Sequence, residues 1–423
     1  RNNLQLLQLF IDDFNWEVGK ILHWPTSAFK HALAHLEWQI RIFFLTVGWP
    51  IEEHAGWRIR LIVRFREIVA FAVVVLAHLP QLYYLVANIK NIGPMLEGLA
   101  HYLVLVEVSL RGLNLVFNKQ HFKELLSDFY RSIYIDNPQI YRQIERQRLP
   151  TVLYTYSFIG AVLYSSIFPV LRSPSCRIVP NFKLLFPFDY KPLPIYLAVL
   201  FVSIAVTLDG GCFIVAESNV LVTMILHLNA RYTMLQQDTT QLHASLKGCH
   251  AALVARRFQR GLARIVRRNV ELNKFADQMQ AMYSFRIFVL LGLCAILLCV
   301  MGFTVATIYG TSTYTVYIFL IWIAGKIMEM LVLGQLGSQL IEKTNELSSM
   351  YYLSNWEEVI LESSDSGENV RLMKMITLCI ELNQKPRPLT GLGFFSLSLM
   401  TTVSILQGAG SYFTFLYAFR QGS

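Results

Sequence analysis

Four acidic and two basic side chains stand inside long apolar runs, where an isolated charge is costly: Glu107, Asp209, Glu217 and Glu329, with Arg111 and Lys326. Glu107 and Arg111 are four residues apart, and Lys326 and Glu329 three apart, so each pair shares one helix face and can neutralise itself. Asp209 and Glu217 have no such local partner and must face protein or water, either tuning ions and ligands or making structural pairs near the helix ends. Chemistry beyond charge pairing finds little support. The ten histidines are scattered, with no His-Glu-x-x-His, no Gly-rich phosphate loop and no Ser/His/Asp grouping. The six cysteines (Cys176, Cys212, Cys249, Cys294, Cys299 and Cys379) make no C-x-x-C pair and no metal-ligand spacing. Only Cys176 falls in an expected external loop, so no disulfide framework is expected, and no Asn-x-Ser/Thr acceptor occurs. The reading is of a non-enzyme with no cofactor and no metal.

The elements that must carry these charges are membrane helices. Of 423 residues 54% are hydrophobic and only 15% charged, against about 25% charged in soluble domains. A hydrocarbon core about 30 Å thick needs roughly 20 apolar helical residues. Seven stretches qualify: 64–87, 95–117, 150–171, 193–226, 285–308, 314–336 and 392–419. The fourth is too long for a perpendicular span and must tilt or project. With the N-terminus inside, the cytoplasmic parts hold 25 Lys and Arg and the external parts 6. Arg256, Arg257, Arg260, Arg264, Arg267 and Arg268 cluster in one connection, which also belongs inside. The net charge of +9 is therefore read as cytoplasmic loops, not as nucleic-acid binding. The chain opens on Arg1-Asn2-Asn3 with no secretory signal, and reads as starting at a trimmed terminus.

Domain organisation follows from these spans: a cytoplasmic segment 1–63, spans over 64–226, a connection 227–284, spans over 285–338, a further intracellular part 339–390 and a last span 391–419. The connection 227–284 contains no proline, and Leu253, Phe258, Leu262, Ile265, Val266, Val270 and Phe275 recur at helical spacing opposite the arginines. This predicts helices running on from spans four and five into a packed intracellular layer. A helix over 339–362, a Ser-Ser-Asp-Ser-Gly break and a shorter helix over 368–383 continue that layer. Pro386 and Pro388 stop the shorter helix, and the last apolar helix is expected to start after Gly391 and Gly393. The fold class is thus an all-α membrane protein of seven transmembrane helices, N-terminus cytoplasmic and C-terminus extracellular, with an intracellular helical anchor layer. A G-protein-coupled receptor would place its N-terminus outside. The acidic-Arg-Tyr and Asn-Pro-x-x-Tyr patterns common in that class do not occur.

Three segments resemble the insect odorant receptor family. The run RPLTGLGFFSLSLMTTVSILQGAGSYFTFL (387–416) is similar to the family's C-terminal signature, and SSMYYLSNWEEV (348–359) to the segment before its last helix pair. FFLTVGWP (43–50) resembles the stretch ahead of its first span. The resemblance implies a ligand-gated cation channel of four subunits, in which a variable odorant-sensing subunit joins a common co-receptor. The chain departs from the co-receptor in its last helix and lacks that subunit's long intracellular insertion, so it resembles the odorant-tuning subunit. Gustatory receptors, a sister family that would gate without a co-receptor, end in a Thr-Tyr…Gln-Phe pattern. Here Ser411-Tyr412 and Ala418-Phe419 keep half of that pattern and lose the Gln. The implied partners are the co-receptor in a heterotetramer, a small volatile organic ligand and membrane lipid, with no nucleic acid. The implied location is the plasma membrane of an olfactory neuron's dendrite.

The same resemblance points to two sites. Ser411, Phe415 and Phe419 lie at i, i+4 and i+8 on one face of the last helix. There they would line the pore and, as an aromatic ring, stop ions by dewetting. The alternative is ordinary packing against lipid or protein. The odorant pocket would draw on His101, Tyr102 and Leu105 of span two, and on Ser157, Gly160 and Tyr164 of span three, with Gly160 leaving room for ligand. Span four would add Asp209, Cys212 and Phe213, and span six Tyr314 and Tyr317. An apolar, aromatic cavity with few polar groups suits a volatile molecule, while each residue is equally compatible with helix–helix packing.

Overall fold

The computed structural model describes residues 57–135, 137–172, 183–246, 248, 250–308 and 313–422. The Gly48-Trp49-Pro50 segment and Cys176 lie outside the described residues, as do the side chains of Tyr314 and Phe419. Eleven α-helices and one two-stranded hairpin build the described chain, which folds as two compact units. The first unit comprises α1 (Trp57–Ala87), α2 (Ile92–Phe117) and nearly all of α3 (Lys119–Asp128). It also takes in parts of α4 (Pro138–Arg172) and α5 (Leu193–Leu242), as far as Val220 in the latter. The second unit holds a π-helical turn (Phe129–Ile133), the middle of α4, the inner part of α5 and everything beyond it.

Within the second unit the organising element is α6 (Ala251–Ile308), 58 residues long. At 1.5 Å per residue it measures about 87 Å, nearly three times the roughly 30 Å hydrocarbon core. A helix of that length must leave the membrane, and its arginine-rich first half is the part that does. Along it, Phe258, Leu262, Ile265, Asn269, Leu272, Ala276, Met279, Tyr283, Arg286 and Leu290 are buried at alternating steps of four and three. That is the heptad seam of helices packed knobs-into-holes. Asn269 is the polar member of the seam, and its amide donates to the Tyr351 hydroxyl (3.0 Å) and to Asn383 Oδ1 (2.9 Å). The expected apolar face of this region needs correction: Leu253 and Val270 are exposed. The seam follows a 3.5-residue repeat, and Asn269 takes the buried place beside Val270 because two partners satisfy its amide.

Against α6 pack α7 (Thr313–Asn345) and α11 (Leu399–Gly422), together with α9 (Trp356–Glu362) and α10 (Ser366–Leu382). The single helix expected over 339–362 is broken. After α7 come α8 (Leu347–Tyr352) and α9, separated by a turn in which Asn355 adopts φ 58°. Asn tolerates this left-handed conformation better than other non-glycine residues, and Glu357 and Glu358 then stand in the first turn of α9, where its dipole favours them. The break before α10 works as expected: the Asp365 carboxylate accepts from the amides of Gly367 and Glu368. The last helix also starts later than expected, because Thr390–Gly391 (β1) and Phe395–Ser396 (β2) form an antiparallel hairpin ahead of it. Leu392 (φ 50°) and Gly393 (φ 78°) turn that hairpin.

The hairpin exit presses on α7. A Cβ on Gly337 would overlap the Leu397 carbonyl oxygen, which is backbone and cannot yield. Gly337→Ala is therefore expected to cost about 1–3 kcal/mol, the usual range for overpacking, and to lower the thermal midpoint of the detergent-solubilised protein. Gly112→Ala, where a Cβ would meet nothing, serves as the control and leaves the midpoint unchanged or raised.

In α10, burial pushes the Cys379 thiol up to about 11. A raised thiol favours the folded state fully below the ordinary thiol range and loses that contribution as pH climbs through about 11. Maleimide-independent alkylation, followed by peptide mass spectrometry at pH 8, is expected to leave Cys379 unmodified until the protein is denatured.

Candidate ligand pocket and pore helix

In the first unit, α5 meets α2 and α4 at two glycines. A Cβ on Gly211 would lie 3.2 Å from Phe158 Cε1 and 3.3 Å from Val162 Cγ2; one on Gly210 would lie 3.4 Å from Val108 Cγ1. Absent side chains thus let three helices converge, and Asp209, Cys212 and Phe213 flank the convergence, with Phe213 buried. On α2, Leu105 and His101 are buried, and His101 Nδ1 donates to its own helix at the Glu97 carbonyl (2.7 Å). Tyr102 meets His78 of α1 edge-on, with ring centroids 5.5 Å apart, and His78 Nε2 is 2.9 Å from Ser109 Oγ. Above them Lys183 reaches Glu97 (3.0 Å) and the Leu185 amide donates to the Pro80 carbonyl (3.2 Å), tying the chain after α4 to α1 and α2.

Span three presents a different face from the one expected to join the pocket. Ser157, Gly160 and Tyr164 are exposed, and a Cβ on Gly160 would meet nothing within 4 Å. The helix buries Ala161 and Val162. Tyr317, in the second unit, is also exposed. The structure therefore gathers the α2 and α5 candidates into one unit and leaves the α4 face outward. The Gly210-Gly211 pair was the signal for the convergence, adjacent to residues already singled out.

Two buried ion clusters complete the picture, and each is larger than its sequence pair. Arg111, fully buried, bonds Glu107 on its own helix and also reaches Glu217 of α5 (3.4 Å). Glu217 thus finds across two helices the partner it lacks locally. In the second unit Lys326 bonds Glu329 (2.9 Å), and the fully buried Arg286 of α6 stands 3.6 Å from the same carboxylate. Nothing near Arg286 in sequence announces this. The inner end of α5 adds a further cross-link that spacing could not reveal. Arg231 donates from Nε to the Ile133 carbonyl (2.8 Å) and from Nη2 to that of Tyr134 (2.7 Å), capping the π-helical turn.

The last helix, α11, divides sharply by face. Thr402 and Ala409 are buried, and Phe413 lies where a Cβ on Gly302 of α6 would be 3.3 Å from its ring. The opposite face is exposed along its length: Met400, Val403, Ser404, Gln407, Ser411, Thr414, Phe415 and Ala418. Ser411 and Phe415 lie on it, and the Ser411 hydroxyl donates to the Gln407 carbonyl (2.9 Å). Ser404 likewise donates to the Met400 carbonyl (3.0 Å) and Thr414 to that of Ser411 (2.8 Å), so these hydroxyls are satisfied by their own helix and leave Gln407 as the strongly polar group of the face.

The described residues include four helical stretches long and apolar enough to cross a membrane: α2, α5, α6 and Thr315–Glu362, which begins within α7. A family model described as 7tm Odorant receptor matches residues 91–410. The chain belongs to that family. This receptor is 35% identical to Odorant receptor 74a of Drosophila melanogaster, over 92% of its own length and 96% of the relative's. It is 33% identical to Odorant receptor 35a of the same organism, covering 90% and 94%. Its fold is similar to that of the insect olfactory receptor OR5 from Machilis hrabei, with a TM-score of 0.73, 14% identity, and 91% and 98% of the two chains covered. The structure of that receptor in complex with eugenol gives a TM-score of 0.72 at 12% identity, covering 91% and 99%. The chain is an all-α, multi-pass membrane protein of the odorant receptor fold.

Because Arg111 holds two carboxylates in a buried site, its removal takes away the cation that both share. Arg111→Leu is expected to cost about 3–5 kcal/mol and to abolish surface delivery, measured by labelling of intact cells. Glu217→Gln, which keeps the acceptor oxygen, is expected to retain most of it.

Proposed function

We propose that this receptor is the odorant-sensing subunit of a heteromeric, ligand-gated, non-selective cation channel that works with a co-receptor subunit. It crosses the plasma membrane seven times with its N-terminus inside, in the dendrite of an olfactory neuron. One observation carries the channel reading: the exposed face of α11 bears Ser404, Gln407, Ser411 and Thr414 while its opposite face is packed on α6 and α7. Ser404, Ser411 and Thr414 bond carbonyls of their own helix, and the Gln407 amide, exposed among them, is the group that favours water or protein beside it. Copies of this helix around a shared axis supply both. Phe415, exposed on that face beyond the polar row, and Phe419 at the next turn would form a hydrophobic constriction that wetting opens. The intracellular parts of α6 and α8–α10 would tie neighbouring subunits together.

The ligand is a small volatile organic molecule, held among the residues that flank Gly210 and Gly211. His101, Tyr102, Leu105, Asp209, Cys212 and Phe213 lie in one unit with them. Ser157, Gly160 and Tyr164 of α4 face outward, and Tyr314 and Tyr317 belong to the second unit, so the proposed lining leaves them out. The relative solved with eugenol supports an apolar, aromatic ligand class. Apolar contact would supply most of the affinity, at about 25 cal/mol per Å² of buried surface, and a few polar groups would orient the molecule.

Co-expression with a co-receptor and current recording across a panel of volatiles tests this reading. At least one volatile should evoke a cation current that reverses near zero potential, and Phe415→Ala should raise the current seen without ligand. Normal surface expression with no response to any volatile would sink the proposal. Ligand-evoked currents from this chain alone would point to a gustatory-type channel.

A further inference from the structure

The root of α11 is held to α6 by a ladder of side chains that the channel reading does not use. Asp277, Gln280, Ser284 and Phe288 follow one another along one face of α6, and each reaches the segment 387–397. Asp277 takes both hydrogen bonds of the Arg387 guanidinium (2.6 and 2.7 Å). Gln280 pairs with Thr390 as a neighbouring strand would: its Oε1 accepts from the Thr390 amide (2.6 Å), and its Nε2 donates to the Thr390 carbonyl (3.0 Å) and hydroxyl (2.7 Å). Ser284 Oγ accepts from the Leu392 amide (3.0 Å), and the Phe288 ring stacks on Phe395 with centroids 6.3 Å apart. From the α7 side, Thr344 accepts from the Arg387 amide (3.0 Å) and Ser338 from the Leu399 amide (2.8 Å). Two helices therefore satisfy the backbone of the hairpin and the first amide of α11.

Two turns beyond this clamp the helix changes character. Gly408 and Gly410 flank Ala409, and a Cβ on either glycine would meet nothing within 4 Å. Neither glycine is required for close packing within the chain. What both contribute is backbone freedom, since Gly lowers helix stiffness more than any residue but Pro, and helix kinks recur at such sites. Ser411, Phe415 and Phe419 all lie beyond the pair.

We infer that α11 opens by bending at Gly408–Gly410 about a root fixed to α6, and that Gln280 is the positioning residue for that root. This rests on the pore reading of α11 given above. Gating then swings the outer part of the helix, with the constriction on it, while the hairpin stays on its ladder.

The test uses the full receptor co-expressed with a co-receptor. Gly408→Ala/Gly410→Ala is expected to cut the maximal ligand-evoked current about tenfold at unchanged surface expression and unchanged single-channel conductance. A double variant with unaltered maximal current and ligand sensitivity overturns the bend. Ser284→Cys/Leu392→Cys, oxidised and verified by mass spectrometry, is expected to leave ligand-evoked current intact because the root does not move. Loss of current on oxidation, restored by reductant, overturns the fixed root. Gln280→Ala is expected to raise the half-activating ligand concentration several-fold and to speed hydrogen exchange at the Thr390 amide. Faster exchange with unchanged gating removes Gln280 from the positioning role. Thiol-reactive cations applied to Ser411→Cys keep the two readings apart. Failure to alter current there defeats the pore reading itself, whereas block there with unaffected glycine variants defeats only the bend.

Discussion

A backbone amide or carbonyl held away from water must find a partner, and at the hairpin ahead of α11 side chains of α6 supply it to Thr390 and Leu392. The α6 seam of steps of four and three takes up α7, α9, α10 and α11, and its polar ladder from Asp277 to Ser284 satisfies the hairpin from which the last helix springs. Nothing in a two-residue strand pair could hold such a root alone, since isolated hairpins are marginal. The side-chain amide of Gln280 acts as the missing third strand. One long helix thereby joins the arginine-rich part of the second unit to its apolar part without a loop between them.

Charge follows the same logic. The buried clusters have opposite compositions, two carboxylates around Arg111 and two cations around Glu329. In a medium of low dielectric an unshared charge would be expelled or neutralised. Each cluster therefore fixes which faces of α2 and α5, or of α6 and α7, must meet. Arg suits the central place in the first cluster because its planar fork serves two acceptors at once. The cost of burying these ions makes them poor general stabilisers and good determinants of register.

The exposed face of α11 and the outward face of α4 belong to one argument. A single chain leaves both uncovered, and their chemistry differs. Ser157, Gly160 and Tyr164 make a small and aromatic surface, whereas Ser404, Gln407, Ser411 and Thr414 make a hydrophilic one. The first is compatible with lipid, and the second is the face on which the proposed pore rests.

The sequence by itself determined the membrane class, the apolar helices and the run-on of α5 and α6 beyond their apolar stretches. Hydropathy over 20 residues and proline-free periodicity are local properties. The pairing of Glu107 with Arg111 was legible for the same reason, being one helical turn. What only the tertiary structure decided are contacts across more than a hundred residues. They include the Glu217 partner at Arg111, the Arg286 partner at Glu329, and the Gln280 clasp on Thr390. The burial of Asn269 in place of Val270, the break at Asn355 and the hairpin before Leu399 also required it. Apart from the local turns at Asn355 and Leu392, each of these contacts joins groups far apart in the chain, and no window of sequence contains both members of such a pair.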